Sequence, residues 1–468
     1  MTPSHLDPSV FSEFLDRTRW FGGKGRPYSV TDVRTVGELP GGPPLVLIHL
    51  VEVTYTDAGA SPGEATETEL YQVPLVYYQD AEHRLDHAFV GWWEDPDRGW
   101  QHAYDAAHDR DAMALWLRAF AAESTEGGLE FHRLPGHELD LEASSTLFSG
   151  EQSNSSVAYG EDSLMKVFRK VTPGVNPDIA VHEVLTRAGS EHVPALYGWL
   201  ETRLDEGDDV LQLAMLQQFL RTASDGWDLA LASVRALYAD PEVHARDSGG
   251  DFAGESSRLG EALREVHHTL REHFPAETRP ASEAAELAAA MTGRLETALG
   301  VVPELREHAA TLRAAFAAVA KLDGLEVQQV HGDLHLGQTL RTSHGWKIVD
   351  FEGEPAKPLA ERQLPDSPWR DVAGMLRSFD YAARVVQRSL STSEADADLI
   401  DTRAQEWSER NKFHFLHAYA GGELSPEQRV LLDAYFADKA VYETVYETRN
   451  RPSWVAIPLQ AVARIGAA

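Results

Sequence analysis

Residues 327–354, VQQVHGDLHLGQTLRTSHGWKIVDFEGE, constrain the fold of this chain more than any other stretch. Two short runs within it, residues 327–330 and 346–351, have the β-branched and aromatic composition of strands. Asp333 follows the first run, and Asp350 lies at the end of the second. A hairpin-like pairing of the two runs would bring both carboxylates to one edge of a sheet. The stretch therefore predicts two carboxylates that face one point.

Further polar side chains lie between and beside these carboxylates. Gln338 supplies an amide oxygen, and Glu352 follows Asp350 with one residue between them. His331 and His335 add two imidazoles. Carboxylate and amide oxygens are the protein ligands that a hard cation such as Mg²⁺ prefers. The stretch therefore predicts a magnesium site with Gln338, Asp350 and Glu352 as candidate ligands.

The same residues match the roles that phosphoryl transfer requires. One carboxylate orients and deprotonates an attacking hydroxyl, while another carboxylate and an amide oxygen hold Mg²⁺ against the phosphates of a nucleotide. The spacing resembles the kinase arrangement H-x-D-x-x-x-x-N followed by D-F-G. Asp333 stands at the position of the base, Gln338 replaces the asparagine, and Asp350 takes the position of the metal-binding aspartate.

Two other interpretations of this stretch remain open. His331 and Asp333 would merely cap a turn if the Asp-Phe at the second strand end arose by chance. A metallophosphoesterase could use Gly-Asp-x-His, but that class needs further His and Asn ligands in separate motifs, and the sequence has no such series. The occurrence of both halves of the motif, in order and at this spacing, favours phosphoryl transfer.

The composition excludes several classes of protein. The sequence has 42 basic and 74 acidic residues, and the resulting net charge of −32 argues against nucleic acid or an anionic membrane as a partner. It has no cysteine, which excludes a disulfide, a thiol nucleophile and a thiolate metal site. The N-terminal segment lacks a basic stretch and an apolar core, and no apolar run is long enough to span a membrane, so we expect a cytoplasmic protein. At 468 residues the chain should divide into about two to four units.

Residues 1–95 predict a small β-rich cap domain with a helix at its front. The helix is the amphipathic stretch of residues 12–19, and three strand-like runs follow at residues 45–55, 69–78 and 88–93. The glycine-rich segment RWFGGKGR, residues 19–26, lacks a preceding strand and a GK[ST] ending, so it predicts a structural turn rather than a phosphate loop. Residues 96–143 form an intermediate segment, with a clear helix at residues 104–123.

Residues 144–221 predict the N-lobe of a nucleotide-binding domain. The pattern in residues 144–169 is strand, tight polar turn, strand, turn, strand. The turn EQSNSS is rich in small hydroxyl and amide residues, whose backbone N–H groups can approach phosphates closely. The candidate phosphate-loop residues are Ser144, Gln152, Ser153, Asn154 and Ser155.

Lys166 is the candidate cation of this N-lobe, because it lies inside an apolar run, where a lysine is costly to bury without a partner. Buried lysines on such strands commonly contact nucleotide phosphates and pair with a glutamate from a helix. Glu183, in the helical stretch of residues 178–188, is the available glutamate. The alternative is an edge-strand lysine that points to water. Residues 210–220 then form a strand and a connector, in which the base of the nucleotide would bond to the backbone near Gln217, Phe219 and Leu220.

Residues 222–468 predict a mainly helical C-lobe that carries the catalytic and sugar-binding site. Apolar residues recur at spacings of three and four in residues 253–273, 281–298 and 302–320. His267, on the apolar face of the first of these helices, is expected to be a packed core histidine rather than a ligand. Asp371, near the start of a later helix, is expected to hold the catalytic loop by hydrogen bonds.

The last long helix, DKAVYETVYETRNRPSW, combines aromatic, acidic and basic side chains at helical spacings. Aromatic faces together with charged hydrogen-bonding groups suit a sugar, whose C–H faces stack while its hydroxyls donate and accept. The candidate substrate residues are His331, Lys439, Tyr442, Glu443 and Tyr446. The alternative is a packing helix that carries tyrosines, which composition alone favours.

These motifs together resemble the maltokinases of actinobacteria, a branch of the aminoglycoside-phosphotransferase-like, protein-kinase-like superfamily. The resemblance covers nearly the entire length, through RWFGGKGR, EQSNSS, LMKVFRK, HGDLHLGQTLR, VDFEGEPA, DSPWRDVAGMLRSFDYAA and YETRNRPSW. HGDLH followed by DFE is typical of the whole superfamily, whereas HGDLHLGQ with DFEGEPA and RDVAGMLRSFDYAA is far more specific. The resemblance implies an α+β, bilobal protein-kinase-like fold with a β-rich N-terminal cap domain and a mainly helical C-lobe.

The resemblance also implies an activity. It is the phosphorylation of the anomeric hydroxyl of maltose by ATP and Mg²⁺, which gives maltose 1-phosphate and feeds α-glucan synthesis from trehalose. A trehalose synthase would then be a candidate protein partner. Asp333 would be the base, with Gln338 and Asp350 as Mg²⁺ ligands. Lys166 would contact the α and β phosphates of ATP, and Glu183 would pair with it.

Two alternatives to a maltose kinase remain open. Relatives of this family phosphorylate glucosamine to glucosamine 6-phosphate, and the motifs of the phosphotransfer centre do not separate the two sugars. The second alternative is a nucleotide-binding pseudokinase whose cap domain serves an interaction role. Intact Lys166, Asp333 and Asp350 argue against a pseudokinase, which usually has lost at least one of these residues.

Overall fold

The computed structural model of the protein describes residues 7–56, 67–148, 153–204, 210–354, 357–390 and 394–465, without the side chains of residues 394–396. Gln152, one of the candidate phosphate-loop residues, lies outside the described residues. The chain forms two compact units, Met1–Glu183 with Pro194–Arg221 and Val184–Val193 with Thr222–Ala468. A β-rich N-terminal part and a helical C-terminal part confirm the predicted α+β class. The division into four segments stays a prediction.

The first sheet of the first unit is antiparallel. Its strands are β1 (Tyr28–Glu38), β2 (Leu45–Tyr55), β3 (Thr68–Tyr78), β4 (Phe89–Asp95) and β5 (Gly99–Asp105). They lie in the order β1-β2-β3-β5-β4. The sequence pattern predicts β2, β3 and β4 but not β1 or β5, in which polar residues interrupt the apolar alternation. The first helix, α1 (Pro8–Arg17), begins at Asp7, whose side chain accepts a hydrogen bond from the backbone N–H of Ser9.

The second sheet of this unit is also antiparallel and has the order β6-β11-β12-β9-β8-β7. Its strands are β6 (Glu130–Arg133), β7 (Ser145–Leu147), β8 (Asn154–Tyr159), β9 (Ser163–Phe168), β11 (Leu196–Arg203) and β12 (Val210–Gln218). The three strands predicted in residues 144–169 are confirmed as β7, β8 and β9. A short strand, β10 (Lys170–Val171), leaves this sheet and pairs with β3 of the first.

Helix α2 (Arg110–Ala122) packs beside the second sheet. Helix α3 (Pro177–Arg187) begins in the first unit, and its residues from Val184 onward belong to the second. The predicted start of α2 is six residues too early, because β5 continues to Asp105 and the side chain of Asp109 caps the helix at the backbone N–H of Asp111. One buried core contains residues of both sheets and of α2. The side-chain amide of Gln72 donates hydrogen bonds to the carbonyls of Phe168 (2.7 Å) and Leu213 (2.8 Å). Buried polar contacts and a shared core therefore join the two sheets into one unit.

The second unit is mainly helical. Its helices are α4 (Gly226–Ala239), α5 (Ala253–His273), α6 (Ala281–Val301), α7 (Ala309–Val319), α8 (Leu359–Arg362), α9 (Trp369–Ser389), α10 (Glu394–Ala420), α11 (Pro426–Asn450) and α12 (Ala456–Arg464). The prediction for α5 is confirmed at both ends, while α7 begins later than predicted because a short 3-10 helix, Pro303–Glu307, precedes it. Among the residues described, no helix is long and apolar enough to cross a membrane.

A three-stranded sheet, β13-β16-β17, and a two-stranded sheet, β14-β15, in the second unit correct the predicted hairpin. The strands are β13 (Ser224–Asp225), β14 (Glu277–Pro280), β15 (Gly324–Val327), β16 (Thr339–Thr342) and β17 (Gly345–Ile348). β15 pairs with β14, and β17 pairs with β16. The predicted pairing of residues 327–330 with 346–351 is therefore wrong. β16 and β17 are separated by only two residues, so closing that hairpin costs less chain entropy than closing the longer loop.

Candidate active site

The loop between β15 and β16 is held in place by one buried carboxylate from α9. Asp371 accepts hydrogen bonds from the backbone N–H groups of His331 (2.7 Å) and Gly332 (2.9 Å). Its side chain is fully buried. These bonds confirm the expectation that Asp371 holds the loop that carries Asp333. Gly332 has a φ of +86°, a conformation that glycine adopts without the steric penalty of a Cβ.

His267 of α5 supports this carboxylate from behind. Its Nε2 lies 3.0 Å from Oδ2 of Asp371, and its Nδ1 lies 2.8 Å from the hydroxyl of Tyr419. The expectation that His267 is a buried core residue is confirmed. Burial raises the pKa of the Asp371 carboxyl, but the hydrogen bond and charge of His267 outweigh burial, so the pKa lies below its ordinary value. The carboxylate therefore stays ionised while it holds the loop.

The loop is also tied to the segment that follows β17. Nε2 of His331 lies 3.0 Å from the carbonyl oxygen of Val349, and the N–H of Val349 donates to the carbonyl of Gln338 at 3.0 Å. The side-chain amide of Gln338 donates to Oδ2 of Asp350 at 2.9 Å. These bonds bring the two predicted metal ligands together without any pairing of β15 with β17. Asp350 has a φ of +70°, and strained non-glycine residues of this kind cluster at functional sites.

This donor set fits a magnesium ion. The amide nitrogen of Gln338 is used as a donor to Asp350, so its oxygen is the atom left to face a cation. Glu352 follows on the same segment, and both acidic side chains are partly exposed. A set of oxygen ligands that includes no sulfur and no imidazole suits Mg²⁺ better than a softer metal.

One cavity of about 860 Å³ in the second unit contains Asp333 together with residues of α11. Four predicted substrate residues line it with Asp333, namely Lys439, Tyr442, Glu443 and Tyr446. His331, the fifth predicted substrate residue, is buried and its Nε2 lies 3.0 Å from the Val349 carbonyl oxygen, so its contact with a substrate stays a prediction. His335 lines the cavity instead. Burial lowers the pKa of the His335 imidazole, and the nearby Asp333 only partly offsets this, so the ring is neutral at neutral pH.

Lys439 and Glu443 give the inner end of the cavity its charge. Nζ of Lys439 lies 3.3 Å from Oδ1 of Asp333. Burial lowers the pKa of Lys439, but Asp333 and then Glu443 outweigh it, so the pKa is raised. Glu443 accepts two hydrogen bonds from the guanidinium of Arg377, at 2.8 and 2.6 Å, on its Oε2. Burial is the largest effect on Glu443 and raises the pKa of its carboxyl despite Arg377.

The outer end of the cavity is aromatic. The ring centroids of Tyr442 and Tyr446 lie 6.4 Å apart with an interplanar angle of 23°, and the two residues are 42% and 44% exposed. The guanidinium of Arg451 lies 4.4 Å from the ring centroid of Trp454. Arg451 is fixed there by the buried carboxylate of Glu447, to which its Nε (2.9 Å) and Nη2 (2.6 Å) donate. The cavity therefore combines a charged end beside Asp333 with a flat aromatic wall.

Sequence reasoning missed several of these residues. Arg377 and Tyr381 of α9 carry no local signal, because an arginine in an amphipathic helix is normally on the surface. Asp225 and Trp227 line the cavity from the start of α4, where Asp225 also accepts a hydrogen bond from the N–H of Asp228. An Asp-Gly-Trp helix start was the available signal, but it is equally typical of an ordinary N-cap.

In the first unit, Lys166 lies on β9, between β8 and β12. The alternative of an edge-strand lysine is therefore wrong. Its Nζ lies 3.0 Å from Oδ2 of Asp178, a buried carboxylate in the first turn of α3. Burial raises the pKa of Asp178, but the charges of Lys166 and His182 hold it well below its ordinary value. The predicted helix is thus correct, whereas the pairing of Lys166 with Glu183 on that same helix stays a prediction.

The candidate phosphate-loop residues differ in their surroundings. Asn154 and Ser155 belong to β8 rather than to a turn, and both are buried. The hydroxyl of Ser155 accepts a hydrogen bond from Nε of Arg169 at 2.8 Å, inside the first unit. The carbonyl of Ser144 accepts from the N–H of Gly160 at 3.1 Å. Ser153 lies just before β8, and the last three residues of the predicted turn EQSNSS belong to that strand.

The candidate connector residues, Gln217, Phe219 and Leu220, also belong to the first unit. Gln217 pairs with Leu164 within the second sheet. The N–H of Phe219 donates to the carbonyl of Asp162 at 2.7 Å, so this donor is already used. Leu220 follows beyond the end of β12. A bond from the backbone N–H of Phe219 to a nucleotide base would therefore have to replace the bond to Asp162.

Comparisons with known proteins agree with this architecture. Residues 14–109 match the family model of the maltokinase N-terminal cap domain, and residues 238–409 match that of the phosphotransferase enzyme family. A glucosamine kinase of Streptacidiphilus jiangxiensis is 30% identical over 325 residues, which cover 66% of this chain and 70% of that protein. A glucosamine kinase of Mycolicibacterium smegmatis is 26% identical over 317 residues, with 66% and 76% covered.

Solved structures show a similar fold. A glucosamine kinase in one crystal form has a TM-score of 0.71 at 22% identity, with 99% of this chain and 98% of that chain covered. A glucosamine kinase in complex with glucosamine, ADP and inorganic phosphate has a TM-score of 0.69 at 22% identity, with both chains fully covered. At this identity the likeness shows the fold alone. Together with the phosphotransferase-family match of residues 238–409, it confirms the predicted aminoglycoside-phosphotransferase-like fold. The cap-domain match confirms the resemblance drawn from the sequence motifs.

Proposed function

The chain belongs to the phosphotransferase enzyme family and carries a maltokinase-type cap, and from this we propose that it is an ATP-dependent kinase of maltose. The product would be maltose 1-phosphate, made by phosphorylation of the anomeric hydroxyl. A phosphotransferase of the sugar-kinase type is the activity that the family supports. The choice of maltose is the further step.

The observation that carries this proposal is the position of Asp333 at one end of a cavity with an aromatic wall. Its volume of about 860 Å³ lies in the usual range of small-molecule sites. The Tyr442 and Tyr446 rings continue beyond the charged end. A disaccharide can place its reacting ring beside Asp333 and stack its second ring on the tyrosines. A single amino sugar would leave that aromatic surface unused.

The proposed reaction assigns a role to each residue at the charged end. Asp333 accepts a hydrogen bond from the anomeric hydroxyl, orients its oxygen and takes its proton as that oxygen bonds to the γ-phosphorus of ATP. The bond from the γ-phosphorus to the bridging oxygen breaks in the same step, and ADP leaves with that oxygen. The ammonium of Lys439 holds the Asp333 carboxylate in place. Glu443, fixed on one oxygen by Arg377, offers its other oxygen to a sugar hydroxyl.

The nucleotide would use residues of both motifs that the sequence singles out. Gln338, Asp350 and Glu352 would hold Mg²⁺, which neutralises charge on the phosphates when it is bound. Lys166, whose Nζ lies 3.0 Å from the carboxylate of Asp178, would contact the α and β phosphates of ATP. Asp371 and His267 would keep the loop that carries Asp333 in one conformation.

A glucosamine kinase is the second candidate function. Two relatives carry that name, and Asp225 and Glu443 in the cavity could accept hydrogen bonds from an ammonium group. The two functions differ in product, since one gives a 1-phosphate and the other a 6-phosphate. ³¹P NMR of the product separates them.

The test is a sugar panel with Mg²⁺ and ATP, read by coupled release of ADP. We expect the highest kcat/KM for maltose and a much lower value for glucosamine and for glucose. Preference for glucosamine with a 6-phosphate product would replace maltose as the substrate. Turnover with none of the sugars would remove the kinase function altogether. Co-elution with a trehalose synthase is a separate test of the partner that the maltose pathway suggests.

A further inference from the structure

Two tryptophans on the hairpin of β4 and β5 point into solvent. Trp92 is 64% exposed and Trp100 is 57% exposed, which places them among the most exposed large apolar side chains of the described residues. Their ring centroids lie 5.6 Å apart, with an interplanar angle of 42°. The ring of His102 lies 6.3 Å from Trp92 at 31°. We call Trp92, Trp100, His102 and Glu94 the hairpin platform.

The strand register explains why these four side chains share a face. Trp92 is opposite His102, and Glu94 is opposite Trp100. Side chains two residues apart on a strand point to the same side of the sheet, so all four project outward. Trp93, which lies between two of them, turns inward and contacts Tyr77 at 5.6 Å. The outward face is therefore separate from the core of the sheet.

The hairpin holds the platform in a fixed geometry. Oδ1 of Asp95 accepts hydrogen bonds from the N–H groups of Asp97 (2.9 Å) and Arg98 (2.8 Å). Gly99, with a φ of +73°, closes the turn in a conformation that other residues rarely adopt. Nδ1 of His102 lies 3.2 Å from the carbonyl of Gln79, which leaves Nε2 to face outward. A surface whose rings and hydrogen-bonding groups are already ordered loses little entropy when it binds a ligand.

Paired exposed tryptophans favour a binding surface over an ordinary solvated strand. An indole is the largest apolar side chain, and leaving two of them side by side in water forgoes the free energy that their burial would supply. Exposed apolar clusters rimmed by polar groups typically mark interaction sites. Glu94 and His102 provide that rim here, as an acceptor and a donor beside the two rings.

We propose that the hairpin platform binds a chain of α-1,4-linked glucose, at a site separate from the cavity that contains Asp333. Indole rings stack on the C–H faces of pyranoses, and Glu94 and His102 can bond the sugar hydroxyls. The ring separation of 5.6 Å is close to the length of one sugar residue, so each indole can serve one glucose. The platform goes beyond phosphoryl transfer, because it would bring the kinase to a polymeric glucan.

The tilt of the two rings and the charge of the chain select this ligand. Successive glucoses in an α-1,4 chain turn relative to each other, which suits rings inclined by 42°. A β-1,4 chain is a flat ribbon and would need rings close to one plane. The net charge of −32 disfavours an anionic partner, whereas a glucan is neutral and meets no repulsion.

The test is electrophoresis of the full chain in native gels with and without glycogen, together with titration of maltoheptaose and cellohexaose by calorimetry. We expect glycogen to retard the protein and maltoheptaose, but not cellohexaose, to bind the platform. Trp92→Ala and Trp100→Ala should each weaken glycogen retention about tenfold, since each removes one stacking ring. Phe413→Ala is the matched control, because Phe413 is 63% exposed on another surface.

A second variant separates the platform from the cavity that contains Asp333, which we call the acceptor cavity. Tyr446→Ala removes a ring of that cavity, and we expect it to leave glycogen retention unchanged. The tryptophan variants should keep full turnover of free sugar. The proposal is overturned if glycogen retards the tryptophan variants as much as it retards the wild type. It is also overturned if cellohexaose binds as well as maltoheptaose, or if neither glycogen nor maltoheptaose binds. A dimer by light scattering that Trp92→Ala abolishes, without glucan binding, would assign the surface to a second copy of the chain.

Discussion

Nζ of Lys439 lies 3.3 Å from Oδ1 of Asp333, so a partly exposed ammonium from α11 is held against the carboxylate proposed as the base. The two residues are far apart in the sequence, and no local pattern connects them. Because α11 also supplies Tyr442, Glu443 and Tyr446 to the same cavity, one helix would both orient the proposed base and bind the proposed sugar. Catalysis and sugar specificity are therefore expected to be sensitive to the position of α11.

Replacing Asp333 with Asn removes the proton acceptor without changing the shape of the side chain. We expect kcat to fall by about 10²-fold or more, because a positioned base contributes that much. Binding of ATP, measured by calorimetry, should be retained. The exposed Asp323→Asn variant is the matched control. Unchanged turnover of Asp333→Asn would remove Asp333 from the reaction.

Replacing Lys439 with Met removes the charge that orients Asp333. We expect kcat to fall about tenfold, because misplacing a reacting group is costly, and Lys439→Arg should retain more activity than Lys439→Met. The pKa of Lys439 is raised above its ordinary 10.5. The ion pair therefore stabilises the fold fully below pH 10.5, and this stabilisation is lost as pH rises through the pKa of Lys439 in the folded protein. Urea unfolding should therefore show a constant difference between wild type and Lys439→Met from about pH 6 to 9. A difference that varies across this range would contradict the ion pair.

Asp371→Asn tests the carboxylate that holds the loop. The amide retains one acceptor oxygen for two backbone N–H groups and His267, so we expect a loss of about 2 kcal/mol in the free energy of unfolding and a lower kcat with little change in KM for either substrate. The pKa of Asp371 is depressed below its ordinary 3.8. The ionised carboxylate therefore stabilises the fold above pH 3.8, and this stabilisation is lost as pH falls through the pKa of Asp371 in the folded protein. The difference between wild type and variant should shrink only in strong acid. Asp398→Asn, at an exposed site, is the control.

Tyr446→Ala tests the aromatic end of the acceptor cavity. The loss of one stacking ring should raise KM for maltose about five- to tenfold, while KM for a monosaccharide acceptor changes little. The ratio of the two KM values is the measurement that matters, because a general loss of structure would raise both. Phe413→Ala again serves as the control for loss of an exposed ring. An equal rise for both sugars would place the second ring elsewhere.

The motif around Asp333, Gln338 and Asp350 could be predicted from sequence because its residues are close in the chain, and one loop and the short β16–β17 hairpin fix its spacing. The strand pairing could not, since β15 takes its partner from Glu277–Pro280, about fifty residues upstream. The helix that faces Lys166 was also predictable. Which carboxylate of that helix faces Lys166 depends on how the helix packs, and the sequence does not show this. The pairing of Lys166 with Asp178 was therefore missed.

Long-range buried pairs were the least predictable part of the site. Arg377 reads as a surface residue of an amphipathic helix, yet it is fully buried and bonds Glu443 from a helix 66 residues away in sequence. Nothing in either local pattern indicates the other. The charges at the base of the acceptor cavity emerge only when α9 and α11 pack together.

Arg377→Met tests this pair. It leaves the carboxylate of Glu443 buried without its cation, and breaking a buried pair in this way typically costs about 3–5 kcal/mol of unfolding free energy. Burial already raises the pKa of Glu443 in the intact protein, and removing Arg377 should raise it further. A carboxyl whose pKa is higher in the folded than in the unfolded protein destabilises the fold once pH exceeds the unfolded pKa. The loss of unfolding free energy in Arg377→Met should therefore grow as pH rises toward the pKa of Glu443 in the folded variant.

Urea unfolding at about pH 5 and pH 8 therefore measures the effect. Arg377→Met should lose more stability relative to wild type at the higher pH, and adding Glu443→Gln should recover part of that loss. Arg449→Met, at an exposed position on α11, should change stability by less than about 0.5 kcal/mol at both pH values. The same loss at both pH values, with no recovery in the double variant, would mean that Arg377 acts through packing or through Asp380, which accepts a hydrogen bond from it at 2.8 Å. Because Glu443 lines the acceptor cavity, recovery of stability without recovery of KM for maltose would separate its two roles.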